Sequence, residues 1–236
     1  ACAVIGDRQT DLELAANIGI RGFLVDPSGS YEHTWDGIRA ALLSSERRAR
    51  VTRQTKETTI DVRVNLDETA PIDITTGIGF LDHMLEQVAK HGGFSLELRC
   101  EGDLDVDQHH TTEDVAICLG QALRDALGDK RGIARYGFLL PMDESEARVA
   151  LDLSGRAAFR FKGKFSRDEV GGLPTELVPH FFRSLAESLG AALHIRVKGK
   201  DNHHMIEACF KSVGRTLRQA IRIESSDLPT TKGVLS

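Results

Sequence analysis

The chain repeats itself. Residues 80–103, FLDHMLEQVAKHGGFSLELRCEGD, realign on residues 177–200, LVPHFFRSLAESLGAALHIRVKGK, at a constant offset of 97. His83 then falls on His180, Leu96 on Leu193, Leu98 on Ile195 and Gly102 on Gly199. After a three-residue gap the offset becomes 94, and His109, His110, Glu113 and Gly120 fall on His203, His204, Glu207 and Gly214. Chance rarely aligns so many positions with one gap, so the fold must contain two copies of one structural unit.

Each copy has the same order of periodicities. Extended segments come first, at 58–66 and 72–75 and again at 147–153 and 158–162. A helical pattern follows at 81–90 and 175–189, then an alternating strand at 94–100 and 192–198. An amphipathic helix closes each copy, at about 110–127 and 204–222. The pattern β-β-α-β-α, twice over, predicts a layered α/β sandwich with repeats at about 55–130 and 131–236. Ahead of it, residues 1–43 read as a small α/β piece: strands at 1–5 and 22–25, a helix at 11–18 and a loop at 26–30. Residues 44–54 carry Glu46, Arg47, Arg48, Arg50 and Arg53 and read as a charged linker.

Of nine histidines, six occupy duplicated positions: His83, His109, His110, His180, His203 and His204. Each closing helix starts His-His-x-x-Glu, and residues three or four apart share a helix face. At about 100° per residue, His110 and Glu113, like His204 and Glu207, lie some 90° or more from the apolar stripe, off the core face. Six histidines and two glutamates in register make poor surface decoration and good ligands. Imidazole suits late first-row divalent metals, and the carboxylates shift preference towards manganese. Three histidines and one glutamate per ion give two sites, and either site can draw on both repeats. Paired His-Glu helices also occur in carboxylate-rich di-iron bundles. Six histidines against two glutamates, with strands between the helices, argue against that class, and a metal-storage module is the other competitor.

The remaining bulk properties exclude classes. The net charge of −5 disfavours nucleic acid. No apolar run nears the ~20 residues of a membrane helix, and no signal peptide is evident. Cys2, Cys100, Cys118 and Cys209 form no CxxC pair and read as reduced thiols of a cytoplasmic protein. The chain begins with Ala1 rather than Met, as expected of a fragment or processed product.

Residues 55–236 resemble imidazoleglycerol-phosphate dehydratase throughout. The matching segments are GFLDHMLEQVAKHGGF (79–94), DQHHTTEDVAICLGQAL (107–123), LPMDE (140–144), DLSGR (152–156), PHFFRSLAESLG (179–190), HHMIEACFKSVGRTLRQA (203–220) and LPTTKGVL (228–235). The resemblance implies a hydro-lyase of histidine biosynthesis with two manganese ions and an assembly of 24 subunits. It implies metal ligation by His83, His109, His110, Glu113, His180, His203, His204 and Glu207. It further implies contacts to a phosphate-bearing substrate from Gln87, His91, Arg135, Arg156, Lys211, Thr230, Thr231 and Lys232. Glu57 would stand near the reacting diol and move protons, and Glu57, Glu113 and Glu207 are the implied catalytic carboxylates. Two departures, a Thr at 230 or 231 for the usual Ser and Pro179 for the usual Glu, remove no ligand.

Residues 1–27 resemble the end of a haloacid-dehalogenase-type phosphatase, with Asp7 and Asp11 in its GDxxTD motif. The whole arrangement resembles bifunctional histidinol-phosphatase/dehydratase enzymes with the phosphatase part truncated. The Asp-x-Asp nucleophile motif is missing, so no phosphatase activity is expected of this piece. Asp7 and Asp11 are better read as a turn and a helix cap.

Overall fold

A computed structural model describes residues 3–26, 34–43 and 47–230. They fall into two compact units, Ala1–Glu46 and Arg47–Ser236. The first unit holds β1 (Ala3–Gly6), α1 (Gln9–Ile18), β2 (Arg21–Leu24) and α2 (Trp35–Leu43). Strands β1 and β2 pair in parallel, with α1 as the crossover. The Asp11 carboxylate accepts from the Arg8 amide at 3.1 Å, at the start of α1. A side chain on Gly6 would collide with that carboxylate, so the glycine is what lets strand and cap approach. Asp11 is thus engaged as a helix cap. Most of the loop expected at 26–30 lies outside the described residues.

The second unit contains β3 (Arg48–Gln54), β4 (Thr58–Asn65), β5 (Ile72–Thr75), α3 (Gly79–Gly92), β6 (Ser95–Gly102) and α4 (His109–Leu127). It continues with β7 (Tyr136–Met142), β8 (Ser145–Asp152), β9 (Ala158–Lys162), β10 (Glu169–Val170), β11 (Leu173–Pro174), α5 (Leu177–Leu189), β12 (Ala192–Lys198) and α6 (Asn202–Ala220). Two four-stranded sheets have the same order, β3-β4-β6-β5 and β7-β8-β12-β9. In each, the third element of the repeat runs parallel to its neighbour, β5 with β6 and β9 with β12. The other pairings within these sheets are antiparallel.

The repeat is therefore β-β-β-α-β-α, one strand longer than the periodicity indicates. The segment 48–54, read as linker, is the edge strand β3, paired along its length with β4. Its arginines belong to that edge: Arg50 grips Asp61 on β4 at 2.6 Å, while Val51 turns inward. Charged side chains are a common way to protect an exposed strand edge. The matching strand β7 also escapes the sequence pattern. Among the described residues a two-strand hairpin, β10–β11, is inserted into the second copy alone.

Helices α3 and α4 lie on the first sheet, α5 and α6 on the second, and the helix layers meet as α4 on α5 and α3 on α6. The result is a sheet–helix–helix–sheet sandwich, with repeat 1 facing repeat 2. At its centre Phe182 and Phe181 pack on Phe210, ring centroids 4.6 and 5.1 Å apart.

The duplicated glycines set the helix spacing. A Cβ on Gly120 would stand 2.7 Å from the Leu185 carbonyl oxygen, and one on Gly214 would stand 2.6 Å from that of Val88. Backbone cannot yield there as a side chain can. Gly120→Ala and Gly214→Ala should each destabilise by about 1–3 kcal/mol through overpacking, despite alanine's better helix propensity of about 1 kcal/mol. Urea unfolding tests this. A gain in stability from either alanine would show that the helix pairs have slack.

Candidate active site

The closing helices present their histidines from fixed first turns. The Asp107 carboxylate accepts from the His109 amide at 2.8 Å, and the Asp201 carboxylate from the His203 amide at 2.7 Å. These aspartates are themselves related by the duplication. Because α4 packs on α5 and α6 on α3, each closing helix meets the earlier helix of the opposite repeat. Each cluster is consequently mixed in origin.

In the first cluster His109 and Glu113 of α4 meet His180 of α5. One ligand atom from each lies within 4.8 Å of the others. The His109 and His180 rings are 4.7 Å apart, and His180 Nε2 is 3.2 Å from Glu113 Oε1. Yet among the described residues that buried Nε2 has no hydrogen-bond partner. A nitrogen beside a carboxylate without a hydrogen bond is the geometry of two Lewis donors converging on a common point.

In the second cluster His203 and Glu207 of α6 meet His83 of α3. Glu207 Oε1 is 3.9 Å from His83 Nε2, and its Oε2 is 3.7 Å from His203 Nε2. The donor set matches the first cluster, more openly arranged. Glu207 is 7% exposed, so the expectation that it lies off the core face is corrected. Helix α6 is covered on one side by its sheet and on the other by α3, and a single apolar stripe does not reveal the second contact.

The clusters differ one helical turn further on. Lys211 Nζ is 2.8 Å from Glu207 Oε1. Gln87 Nε2 reaches to 3.5 Å from His83 Nδ1. His91 is lowered in pKa, first by burial and then by the positive charges of Lys211 and Arg215. The corresponding positions of the first cluster hold Ser184, Ser188, Ile117 and Gln121. Duplication therefore built two alike His–Glu clusters, and among the described residues only the second has these polar neighbours.

His110 and His204 join neither cluster. His110 Nδ1 sits 3.2 Å from Asp103, with Nε2 3.8 Å from Glu57. His204 Nδ1 sits 2.9 Å from Glu144. Hydrogen bonding raises the pKa of both imidazoles, and His204 holds the Glu144 carboxyl down to about 2. Sequence reasoning assigned no role to Asp103 or Glu144. The sheet register carries the missing signal: Val64 and Leu151 occupy matching places opposite Leu96 and Leu193, so Glu57 and Glu144 are duplicates at an offset of 87.

Glu57 stands on the β3–β4 turn, anchored from below by a buried carboxylate. Asp114 accepts from Thr58 Oγ1 at 2.6 Å and from Arg53 Nε at 3.0 Å. Asp114 is 6% exposed, whereas Arg53 retains substantial exposure. Asp114→Ala should cost about 2 kcal/mol, chiefly by taking the acceptor from the buried Thr58 hydroxyl and leaving it the longer contact to Thr55 Oγ1 at 3.2 Å. Thermal unfolding beside Thr58→Val/Asp114→Ala checks this: removing both partners should cost less than removing Asp114 alone.

The phosphate candidates lie elsewhere. Arg135 makes a paired contact with Asp152, at 2.5 and 3.0 Å, and donates to the Pro229 carbonyl at 2.9 Å. Its amide donates to the Ala220 carbonyl at 2.8 Å, at the last turn of α6. Arg156 is exposed on the turn after β8. Thr230 follows Pro229, while Thr231 and Lys232 lie outside the described residues. Since His203 lies in the first turn of α6 and Ala220 closes it, Arg135 stands about 25 Å along the helix from the His83–His203–Glu207 cluster, at 1.5 Å per residue.

Comparison with known proteins bears on the class. The model of the family "Imidazoleglycerol-phosphate dehydratase" matches residues 76–217. The histidine biosynthesis bifunctional protein HisB of Xanthomonas axonopodis pv. citri is 53% identical over 99% of this chain and 67% of its own. That of Legionella pneumophila is 56% identical over 98% of this chain and 65% of its own. The chain thus spans about two thirds of the length of these relatives. The crystal structure of imidazoleglycerol-phosphate dehydratase from Staphylococcus aureus superposes with a TM-score of 0.67 at 38% identity, covering 73% of this chain and 97% of that one. IGPD from Pyrococcus furiosus, in complex with (S)-C348, gives 0.68 at 35% identity, covering 78% and 100%.

Fold, site and comparisons together define a hydro-lyase. The chain belongs to the imidazoleglycerol-phosphate dehydratase family, the dehydratases of histidine biosynthesis.

Proposed function

We propose that the chain dehydrates D-erythro-imidazoleglycerol phosphate to imidazole-acetol phosphate, using two divalent ions, manganese being the best match to the donors. The buried His180 Nε2, aimed at Glu113 without a hydrogen bond, carries this reading. Two imidazoles and a carboxylate per cluster fit a borderline-to-hard divalent ion. Such ions act as Lewis acids and as a template for the substrate.

The chain's own residues do the rest. Glu57 takes and returns protons at the diol, with Glu113 and Glu207 as the carboxylates of the two clusters. Gln87, His91 and Lys211 line the approach to the second cluster. Arg135, Arg156, Thr230, Thr231 and Lys232 hold the phosphate, where arginine offers paired donors. Asp152 aims the Arg135 guanidinium, so Arg135→Ala should raise KM and lower stability together.

Twenty-five ångströms is too far for one small substrate to bridge. Arg135 and Thr230 of one copy therefore serve the metal cluster of another, and the working unit is an oligomer, of 24 copies by the family resemblance. His110 and His204, outside both clusters of their own chain, complete the metal shells across the same junctions. Among the described residues no helix is long and apolar enough to cross a membrane, and we assign the enzyme to the cytoplasm.

Manganese-loaded protein should convert imidazoleglycerol phosphate to a ketone without releasing phosphate. Metal-dependent phosphate release would point instead to a hydrolase, and metal binding without turnover to a storage protein.

A further inference from the structure

A second cationic site lies away from both clusters. It is a cavity of about 570 Å³ at the far end of α3 and α6, walled by Arg47, Arg215, Arg218 and Arg222, with Gly92 and Gly93 beside them. Arg218 is eleven residues beyond Glu207, about 16 Å along the helix at 1.5 Å per residue. Arg135 is not among the walls, its guanidinium being held by Asp152 and the Pro229 carbonyl.

Three features mark it as built for an anion. First, Arg215 and Arg218 stand at i and i+3 on α6, a spacing at which like charges sit side by side and repel, and Arg222 joins them from just beyond the helix end. Among the described residues no carboxylate forms an ion pair with any of the three, and no acidic residue lines the cavity. Second, the backbone makes room. A Cβ on Gly93 would fall 3.3 Å from Arg218 Nε, so the guanidinium lies directly against the glycine. Third, Arg47 arrives from the start of β3 and is tied in place by Asp67 and the Ile221 carbonyl, which makes it a fixed wall. A basic residue in the last turn of a helix is ordinarily explained by the helix dipole. That accounts for Arg218, but not for Arg215 a turn earlier or for the cavity the four arginines enclose.

We propose that this cavity is a second anion site, taking a phosphate dianion as inorganic phosphate or as the head of a phosphomonoester. The volume lies within the range of small-molecule sites, and guanidinium groups match phosphate oxygens in pairs. Arg215 also stands between the cavity and the second cluster, because it follows by one turn Lys211, which contacts Glu207, and its charge bears on His91.

The test is titration of the assembled protein with inorganic phosphate at constant ionic strength, followed by calorimetry. Wild type should show a phosphate-binding component that survives Arg156→Gln. Arg218→Gln/Arg222→Gln should weaken that component at least tenfold, with turnover at saturating substrate unchanged. If the glutamine pair does not fold, Arg218→Lys/Arg222→Lys keeps the charge, removes the forked donors and should still weaken binding. A parallel titration with glycerol phosphate separates the sources: tighter binding assigns a phosphomonoester, equal binding free phosphate. Phosphate binding unchanged in the double variant, or abolished by Arg156→Gln alone, overturns the proposal.

Discussion

Glu113→Gln combined with Glu207→Gln should leave the chain folded, free of tightly bound metal, and at least about a thousandfold slower. Each carboxylate is the one acidic side chain of a cluster whose other two donors are imidazoles. A Lewis acid supplies several kcal/mol to the transition state, and each 1.36 kcal/mol is tenfold in rate. Losing about 4 kcal/mol gives the stated factor. Glutamine preserves shape and spares Lys211 the loss of any neighbour at Glu207, so far-UV circular dichroism should stay unchanged. Full metal occupancy in the double variant would show that the carboxylates are not ligands.

Chelation is the second large effect. Removing metal, or replacing His110 and His204 together by alanine, should break the particle into smaller units without unfolding them. Neither histidine belongs to a cluster of its own chain, and Arg135 lies at the opposite end of α6 from the His83–His203–Glu207 cluster. Ions that bridge copies stabilise the assembly through their binding free energy. Light scattering and circular dichroism on the same samples decide the matter. A metal-free protein that keeps its full size would show that contacts elsewhere hold it together.

Much of this architecture is legible in the chain. The duplication gives the pairing of α3 with α5 and of α4 with α6 as equivalents, β12 falls where alternation puts it, and β5 and β9 coincide with expected extended segments. What escapes is whatever depends on a distant partner. Strand β3 reads as linker because its arginines find their acids on β4 and α4, at Asp61 and Asp114. Strand β7, YGFLLPM, lacks alternation and holds a proline, and its pairing with β8 supplies what its sequence does not.

The same limit shaped the site. All eight duplicated His and Glu positions stand out in the sequence, but their division into clusters follows from α3 meeting α6 and α4 meeting α5. His109 and His110 are neighbours in the chain, yet about 100° apart around the helix. One turns to His180 and Glu113, the other to Asp103 and Glu57. Glu144 stayed hidden because its kinship to Glu57 appears only once the strands are in register.

One duplicated chain should hold two ions, each in a His–Glu cluster assembled from both repeats. Metal analysis of the manganese-loaded protein tests it most directly, in wild type and in His180→Ala, which damages the first cluster alone. Wild type should carry two ions per chain and the variant about one. One ion or none in wild type, or two retained in the variant, would contradict it.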